Sequence, residues 1–341
     1  MSRLAMVMNP AQLRAQVFNQ ICLNLSHDIK SRRGFFIFTM MQRRQFIQQS
    51  ALAMAILSIY KSNSFAGINY QQTYQFKPLR NNVGVFTEQG GTIAWLNSNE
   101  GFVVIDSQFP NSAPHVIDEL KKLGSKPFKY LLNTHHHGDH TAGNIVFKGL
   151  VEHVVAHENS LKNQRTTAEK ANSLEKQLLP DVVFGNDGWN TKIGNEKITA
   201  YYFGAGHTNG DSIYHFENAN IAHVGDLVFN RRYPFIDTAY GANIASWINV
   251  LGQIVNKFDN DTLFVFGHSR EPEKITGNKA DIMAFKNYLQ SLLDFVGREI
   301  KAGKSKEDIL KATEVPGAPE WQGDGIARSL NAAYVELSNL K

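Results

Sequence analysis

Residues 133–144, "NTHHHGDHTAGN", crowd four histidines and one aspartate (His135, His136, His137, Asp139 and His140) into six consecutive positions. Imidazole and carboxylate without sulfur form a ligand set for zinc, with iron and manganese as rivals. The spacing His135-x-His137-x-Asp139-His140 offers four candidate ligands, which begin two metal sites and complete neither. They reach a metal only if the backbone turns sharply at the end of a strand, and Gly138 is the residue expected to permit that turn. Partners must come from elsewhere. Three later segments each close an apolar run with one candidate: "YYFGAGHTNGD" with His207, "NIAHVGDLVF" with Asp226 and "LFVFGHSR" with His268. A glycine stands directly before each, as expected where main chain bends tightly at a strand end. The chemistry open to such a set is metal-assisted hydrolysis. Two ions about 3.5–4 Å apart lower the pKa of a bound water and polarise a carbonyl or phosphoryl oxygen, so no serine or cysteine nucleophile is required.

Side chains this far apart in sequence need a rigid frame. Strands are expected at "VGVFTE", "TIAWLN" and "GFVVIDS", with Gly90-Gly91 turning the chain between the first two. A helix follows in "SAPHVIDELKKLG", with its apolar stripe at Val116, Leu120 and Leu123 and a glycine stop. The strand "FKYLLNT" then delivers the histidine cluster. A second series holds "VEHVVAHE", a polar helical insertion over roughly 158–178, strands at "KITAYYF", "DSIYHF" and "NIAHVGD", a helix over 243–258, the strand "TLFVFGH" and a helical tail. Two strand-rich blocks with helices between them predict an α/β fold of two sheets packed face to face with helices outside. The expected unit is one domain of two similar halves, residues 67–341.

The chain has 341 residues, 43% of them hydrophobic, enough for a sizeable core. Its formal charge of +4 sits at the N-terminus: residues 1–66 carry eight Lys/Arg against Asp28, leaving 27 basic and 30 acidic groups downstream. The remainder thus gives no electrostatic reason to expect a nucleic-acid partner. The single cysteine, Cys22, also lies in this leader. Within it, "MQRRQFIQQSALAMAILSIYKSNSFAG", Met41 to Gly67, has paired arginines, a short apolar run and a small-residue end. It reads as a signal peptide, too short and too weakly apolar for a membrane span, with an uncleaved anchor as the less favoured alternative. Arg43-Arg44-Gln45-Phe46-Ile47 resembles the twin-arginine motif, whose pathway exports folded proteins to the periplasm. Arg32-Arg33 imitates it without an apolar run behind. With Met40 or Met41 as a natural start, residues 1–39 read as an over-extended frame or an unstructured leader.

HxHxDH followed in order by His207, Asp226 and His268 resembles the ligand signature of the metallo-β-lactamase superfamily, and all seven positions match over roughly Asn82 to His268. The resemblance implies a four-layer αββα sandwich. It also implies two zinc ions, the first on His135, His137 and His207, the second on Asp139, His140 and His268, with Asp226 bridging. A metal-bridging hydroxide is then the nucleophile, and Asp139 orients it and accepts its proton. Asp106, ending "FVVID", resembles the strand-end aspartate that braces the histidine loop; an ordinary turn cap is the alternative. His136 falls between ligands and should point away from the metals, in a supporting role. His153, His157, His215 and His223 read as half-buried or surface side chains, and Trp95 and Trp247 as core. Arg231, Arg232, Tyr233 and Phe235, in the aperiodic stretch 229–241, are candidates for the substrate mouth, with arginine placed for a carboxylate.

Within the superfamily the residue at 226 discriminates. The best-known lactam-opening branch has cysteine there, whereas glyoxalase II-like thioesterases, lactonases and many general hydrolases have aspartate. The resemblance therefore implies an exported, binuclear zinc hydrolase of a small ester, thioester or lactone, with no nucleic-acid partner and no membrane span in the mature form. The alternatives are a β-lactamase and a mononuclear-iron persulfide dioxygenase. Diiron flavoproteins of the superfamily are disfavoured, because they have Glu where His137 stands and append a flavin domain.

Overall fold

Seven strands lie side by side in the first sheet of the computed structural model, which describes residues 74–339. In sheet order, which is also chain order, they are β1 (Gln75–Arg80), β2 (Val83–Thr87), β3 (Ile93–Asn97), β4 (Phe102–Ile105), β5 (Phe128–Leu132), β6 (Val151–His157) and β7 (Val182–Phe184). Pairing is antiparallel from β1 to β4 and parallel from β4 to β7. Every residue of β4 is buried, the near-continuous apolar pattern of a strand covered on both faces. The second sheet takes β8 (Trp189–Ile193), β9 (Glu196–Tyr201), β10 (Ile213–Phe216), β11 (Ile221–His223), β13 (Leu263–Val265) and β15 (Thr276–Gly277), with β8 and β15 at its edges. A separate two-residue ladder joins β12 (Phe229–Asn230) to β14 (His268–Ser269).

Alternation along the strands decides what fills each layer. Val83, Val85, Val103, Ile105, Leu132 and Val155 of the first sheet meet Ile198, Ala200, Tyr214, Phe216, Ile221 and Val265 of the second. Burying such a side chain contributes about 1.5–3 kcal/mol relative to leaving it in water. The opposite face of the first sheet, with Trp95, Phe102, Val104 and Leu131, packs under α1 (Ala113–Lys122) through Val116, Ile117 and Leu120. Leu123, expected in that stripe, is instead the C-cap and 44% exposed, and Ile117 takes its place. The short α2 (Gly138–Thr141) and the polar α3 (Glu158–Lys170) follow. On the outer face of the second sheet, Ala222 and Phe264 pack against α4 (Ile244–Lys257), α5 (Lys279–Lys301), α6 (Lys306–Ile309) and α7 (Ile326–Ser338), with Trp247, Leu251, Phe285 and Leu289 in one cluster. The result is the expected αββα sandwich. Trp95 and Trp247 are both core residues, 3% and 0% exposed.

Two local expectations are overturned. Gly138 does not use left-handed backbone, and a Cβ there would meet nothing within 4 Å. The turn is instead a strand-to-helix junction, with His137 still extended (φ −66°, ψ 148°) as the N-cap of α2. The segment 262–268 is not one strand, because β13 ends at Val265 and His268 pairs with Phe229 in another ladder. Gly267 lies at the break for want of space: its Cβ would sit 2.0 Å from Asp226 Oδ1. The leader, residues 1–66 with the twin-arginine motif, lies outside the described residues. No helix among those described is long and apolar enough to cross a membrane.

Candidate metal centre

Strand ends from both sheets carry the seven candidate ligands to one place. His135 and His137 follow β5, Asp139 and His140 lie in α2, His207 follows β9, Asp226 sits in the turn after β11, and His268 opens β14. His135, His137, His207 and Asp226 form one group of converging donor atoms, and Asp139, His140 and His268 a second.

The hydrogen bonds assign the tautomers of the first group. His207 Nδ1 donates to the carbonyl of Phe235 (2.7 Å), which leaves Nε2 bare. His137 Nε2 donates to Asp237 Oδ2 (2.8 Å), which leaves Nδ1 bare. Thr134 Oγ1 gives its proton to Asp106 Oδ2 (2.7 Å) and so accepts from His135 Nδ1 (3.0 Å), leaving Nε2 bare. The three bare nitrogens face one another, His137 Nδ1 being 3.1 Å from His135 Nε2 and 2.8 Å from His207 Nε2. Lone pairs at that separation repel unless a cation stands among them. Burial, reinforced by neighbouring His137, pushes His207 down to about 3, and burial likewise holds His135 well below the usual histidine range. Both are therefore neutral at pH 7, the form that ligates a metal.

Asp226 faces both groups. Its Oδ2 lies 3.5 Å from His207 Nε2 and 3.4 Å from His268 Nε2, and its Oδ1 lies 3.1 Å from His140 Nε2. Asp139 Oδ2 is 3.1 Å from His268 Nε2. His140 Nε2 and Asp226 Oδ1 are buried, and neither makes a hydrogen bond. Leaving such groups unsatisfied costs about 1–3 kcal/mol each, so this pair fits a site that takes a cation. Burial works against a charge on His268, yet the carboxylates of Asp226 and Asp139 push it up to about 9. The second group thus demands positive charge, and the donor chemistry of both fits divalent zinc, iron or manganese.

Asp106 is the brace the sequence suggested. Fully buried, with left-handed backbone (φ 65°), it accepts from Thr134 N (2.8 Å), Thr134 Oγ1 (2.7 Å) and His140 Nδ1 (2.7 Å). One carboxylate thereby orients a histidine of each group. Asp106→Asn is expected to weaken metal affinity by about 10–100-fold, measured by competition with a chelator. An unchanged affinity would make Asp106 a turn cap only.

Asp237 plays the same part for His137 and was missed in the sequence, where it sits in an aperiodic loop. The signal available was its type, a carboxylate among aromatics just beyond Asp226. His136 is also buried against it, 3.7 Å from Nε2 to Asp237 Oδ2, with its ring 4.4 Å from Tyr240. Burial pushes His136 down to about 3. Asn159 and Asn163 of α3 donate to Asn209 beside His207, and Thr167 donates to Tyr240 Oη, so the helix buttresses the loops that carry His207 and Asp237. His153 is exposed and His215 half-buried, as read, but His157 and His223 are fully buried. His223 lies between the layers, where Nε2 donates to the carbonyl of Thr92 and Nδ1 accepts from Gly225 N.

A cavity of about 340 Å³ opens over the cluster, lined by His137, Asp139, Asp226 and His268 together with Arg232, Tyr233, Phe235, Asp324 and Arg328. Three of the four candidate mouth residues are present. Arg231 is not: its guanidinium lies over Trp321 (4.7 Å) and beside Asp281 (3.8 Å). Asp324 and Arg328 were missed, because they precede and open α7, far along the chain.

The family model of the metallo-beta-lactamase superfamily matches residues 87–268. The chain is 25% identical to a metallo-beta-lactamase type 2 of Bacillus sp. (strain 170) over 219 residues, 60% of this chain and 80% of that protein. It is 28% identical over 216 residues to the type 2 enzyme of Bacillus cereus, 59% of this chain and 78% of that one. Among solved structures, a metallo-beta-lactamase from Pontibacter korlensis superposes with a TM-score of 0.54 at 19% identity, over 64% of this chain and 99% of that one. A double mutant of the sec-alkyl sulfatase PisA1 superposes with a TM-score of 0.61 at 12% identity, over 78% and 52%.

Proposed function

Because the chain belongs to the metallo-beta-lactamase superfamily and is a metal-dependent hydrolase, we propose that it is an exported two-zinc enzyme that opens an ester, thioester or lactone of a small molecule. The observation that carries the reading is Asp226, a buried carboxylate with one oxygen toward His140 and the other toward His207 and His268. His135, His137, His207 and Asp226 would hold one ion, and Asp139, His140 and His268 with Asp226 the other. Bound there, two divalent ions supply a water ionised near neutral pH and polarise the scissile carbonyl. Asp139 faces the cavity with its side chain 31% exposed. Burial would raise its pKa, but His140 and the bond from His268 hold it below the usual carboxylate range. It is therefore ionised at neutral pH, able to take the proton of the attacking water and pass it to the leaving group.

The names of the curated relatives favour a second reading, lactam opening. Both are tested by counting metal in the zinc-reconstituted protein and comparing kcat/KM across esters, thioesters, lactones and β-lactams. Two zinc ions per chain with the highest values on the first three classes are expected. Dominant lactam turnover would replace the first reading by the second, and a single iron with oxygen consumption would remove both.

Export rests on Arg43 and Arg44. Replacing both with lysine is expected to leave the protein in the cytoplasm, as read by fractionation. Undiminished export of that variant would refute the twin-arginine route.

A further inference from the structure

Arg328 stands at the third position of α7, outside the span 87–268 that the family shares. It lines both the cavity over the cluster and an adjoining one of about 430 Å³ formed with Phe235, Asp237, Thr238, Ala327 and Asn331. Its guanidinium lies 5.8 Å from the centre of the Phe235 ring, whose other neighbours are His137 (5.4 Å) and His207 (6.1 Å). One aromatic ring thus separates a cation on the rim from the histidines. Among the described residues Arg328 makes no ion pair, although Asp324 lines the same cavity. The carboxylates at the centre do not serve it either, since Asp139, Asp226 and Asp237 are engaged by histidines. Phe235, 41% exposed, offers an apolar surface between the guanidinium and the cluster.

We infer that the substrate carries a carboxylate remote from the scissile bond, joined to it by a short apolar chain that lies on Phe235, and that Arg328 holds this carboxylate. The guanidinium fork matches a carboxylate with two parallel hydrogen bonds, which a lysine ammonium does not reproduce. This rests on the hydrolase reading above and names its substrate class; Arg328 is then a specificity residue, acting on affinity.

The test compares two ligands that are not consumed, adipate and hexanoate, which share a four-methylene chain and differ in a terminal carboxylate against a methyl. Each places one carboxylate at the cluster, so their ratio of Kd values isolates the second. The zinc-loaded native chain is expected to bind adipate about tenfold more tightly. In Arg328→Ala the ratio should fall to about one, and in Arg328→Lys it should take an intermediate value. A ratio near one in the native protein, or a native ratio retained in Arg328→Ala, would overturn the inference. Zinc counted in every preparation keeps this separate from the hydrolase reading, whose failure shows as missing metal and not as a changed ratio.

Discussion

Asp226→Ala is expected to lower bound zinc from two ions per chain to about one and to cut kcat/KM by about 10³-fold, the equivalent of ~4 kcal/mol. The reason is geometric. No other carboxylate in the cluster faces donor atoms of both groups, with Oδ1 toward His140 and Oδ2 toward His207 and His268. Its removal also takes away the carboxylate nearest to the buried His140 Nε2 (3.1 Å), leaving only Asp139 Oδ2 at 3.8 Å. Asp226→Asn, which keeps the shape but replaces one oxygen by an N–H donor, should fall between the native protein and the alanine variant in metal content. Two tightly held ions and full turnover in Asp226→Ala would end the bridging assignment. The measurements are metal analysis after dialysis and initial rates on the best substrate of the panel.

The second large effect concerns His135 and His207, which reach one position from different sheets. Their ring centres lie 4.9 Å apart, and the bare nitrogen of each faces His137 Nδ1. His135→Ala and His207→Ala should each abolish most activity, and the double variant should be hardly worse than either single one, because groups that act as a unit give strongly non-additive losses. Were His207 a structural histidine, its removal would instead lower thermal stability, leave metal stoichiometry intact and add independently to the loss at His135. Zinc content and rates for the three variants separate the two outcomes.

The convergence of the seven candidate ligands was legible because the cluster at 135–140 and the segments of His207, Asp226 and His268 each come just after an apolar run, and the end of a strand is a fixed place in a sandwich. What stayed hidden has physical causes. Alternation tells which face of a strand a side chain takes but not whether that face is covered, so His157 and His223 read as accessible although both are buried. Asp237 lies in a loop without periodicity, where direction is set by contacts and not by pattern. The same ambiguity separates Arg231 from Arg232. Left-handed backbone at Arg231 (φ 59°) turns its guanidinium onto Trp321, while its neighbour faces the cavity. Arg328 reaches the site only through the packing of α7 on α5, which no local feature announces. Gly138 misled because its position suggested a backbone demand that the strand-to-helix junction does not make.

His135, His137, Asp139 and His140 follow β5 of one sheet, His207 and Asp226 follow strands of the other, and His268 opens β14 of the separate ladder, so a bound ion ties layers that otherwise meet through apolar packing and hydrogen bonds such as those from His223 Nε2 to the Thr92 carbonyl and from Tyr214 Oη to the Asn133 carbonyl. The unfolded chain presents no such cage, and the ion therefore binds the native state selectively. At a free concentration a hundred times its dissociation constant, each such ion adds about 2.7 kcal/mol to the unfolding free energy. A sandwich of this kind acts as a latch whose closure depends on the metal supply of its compartment. Scarcity would then be felt first as a shortened lifetime against proteases and only afterwards as a shortage of turnover.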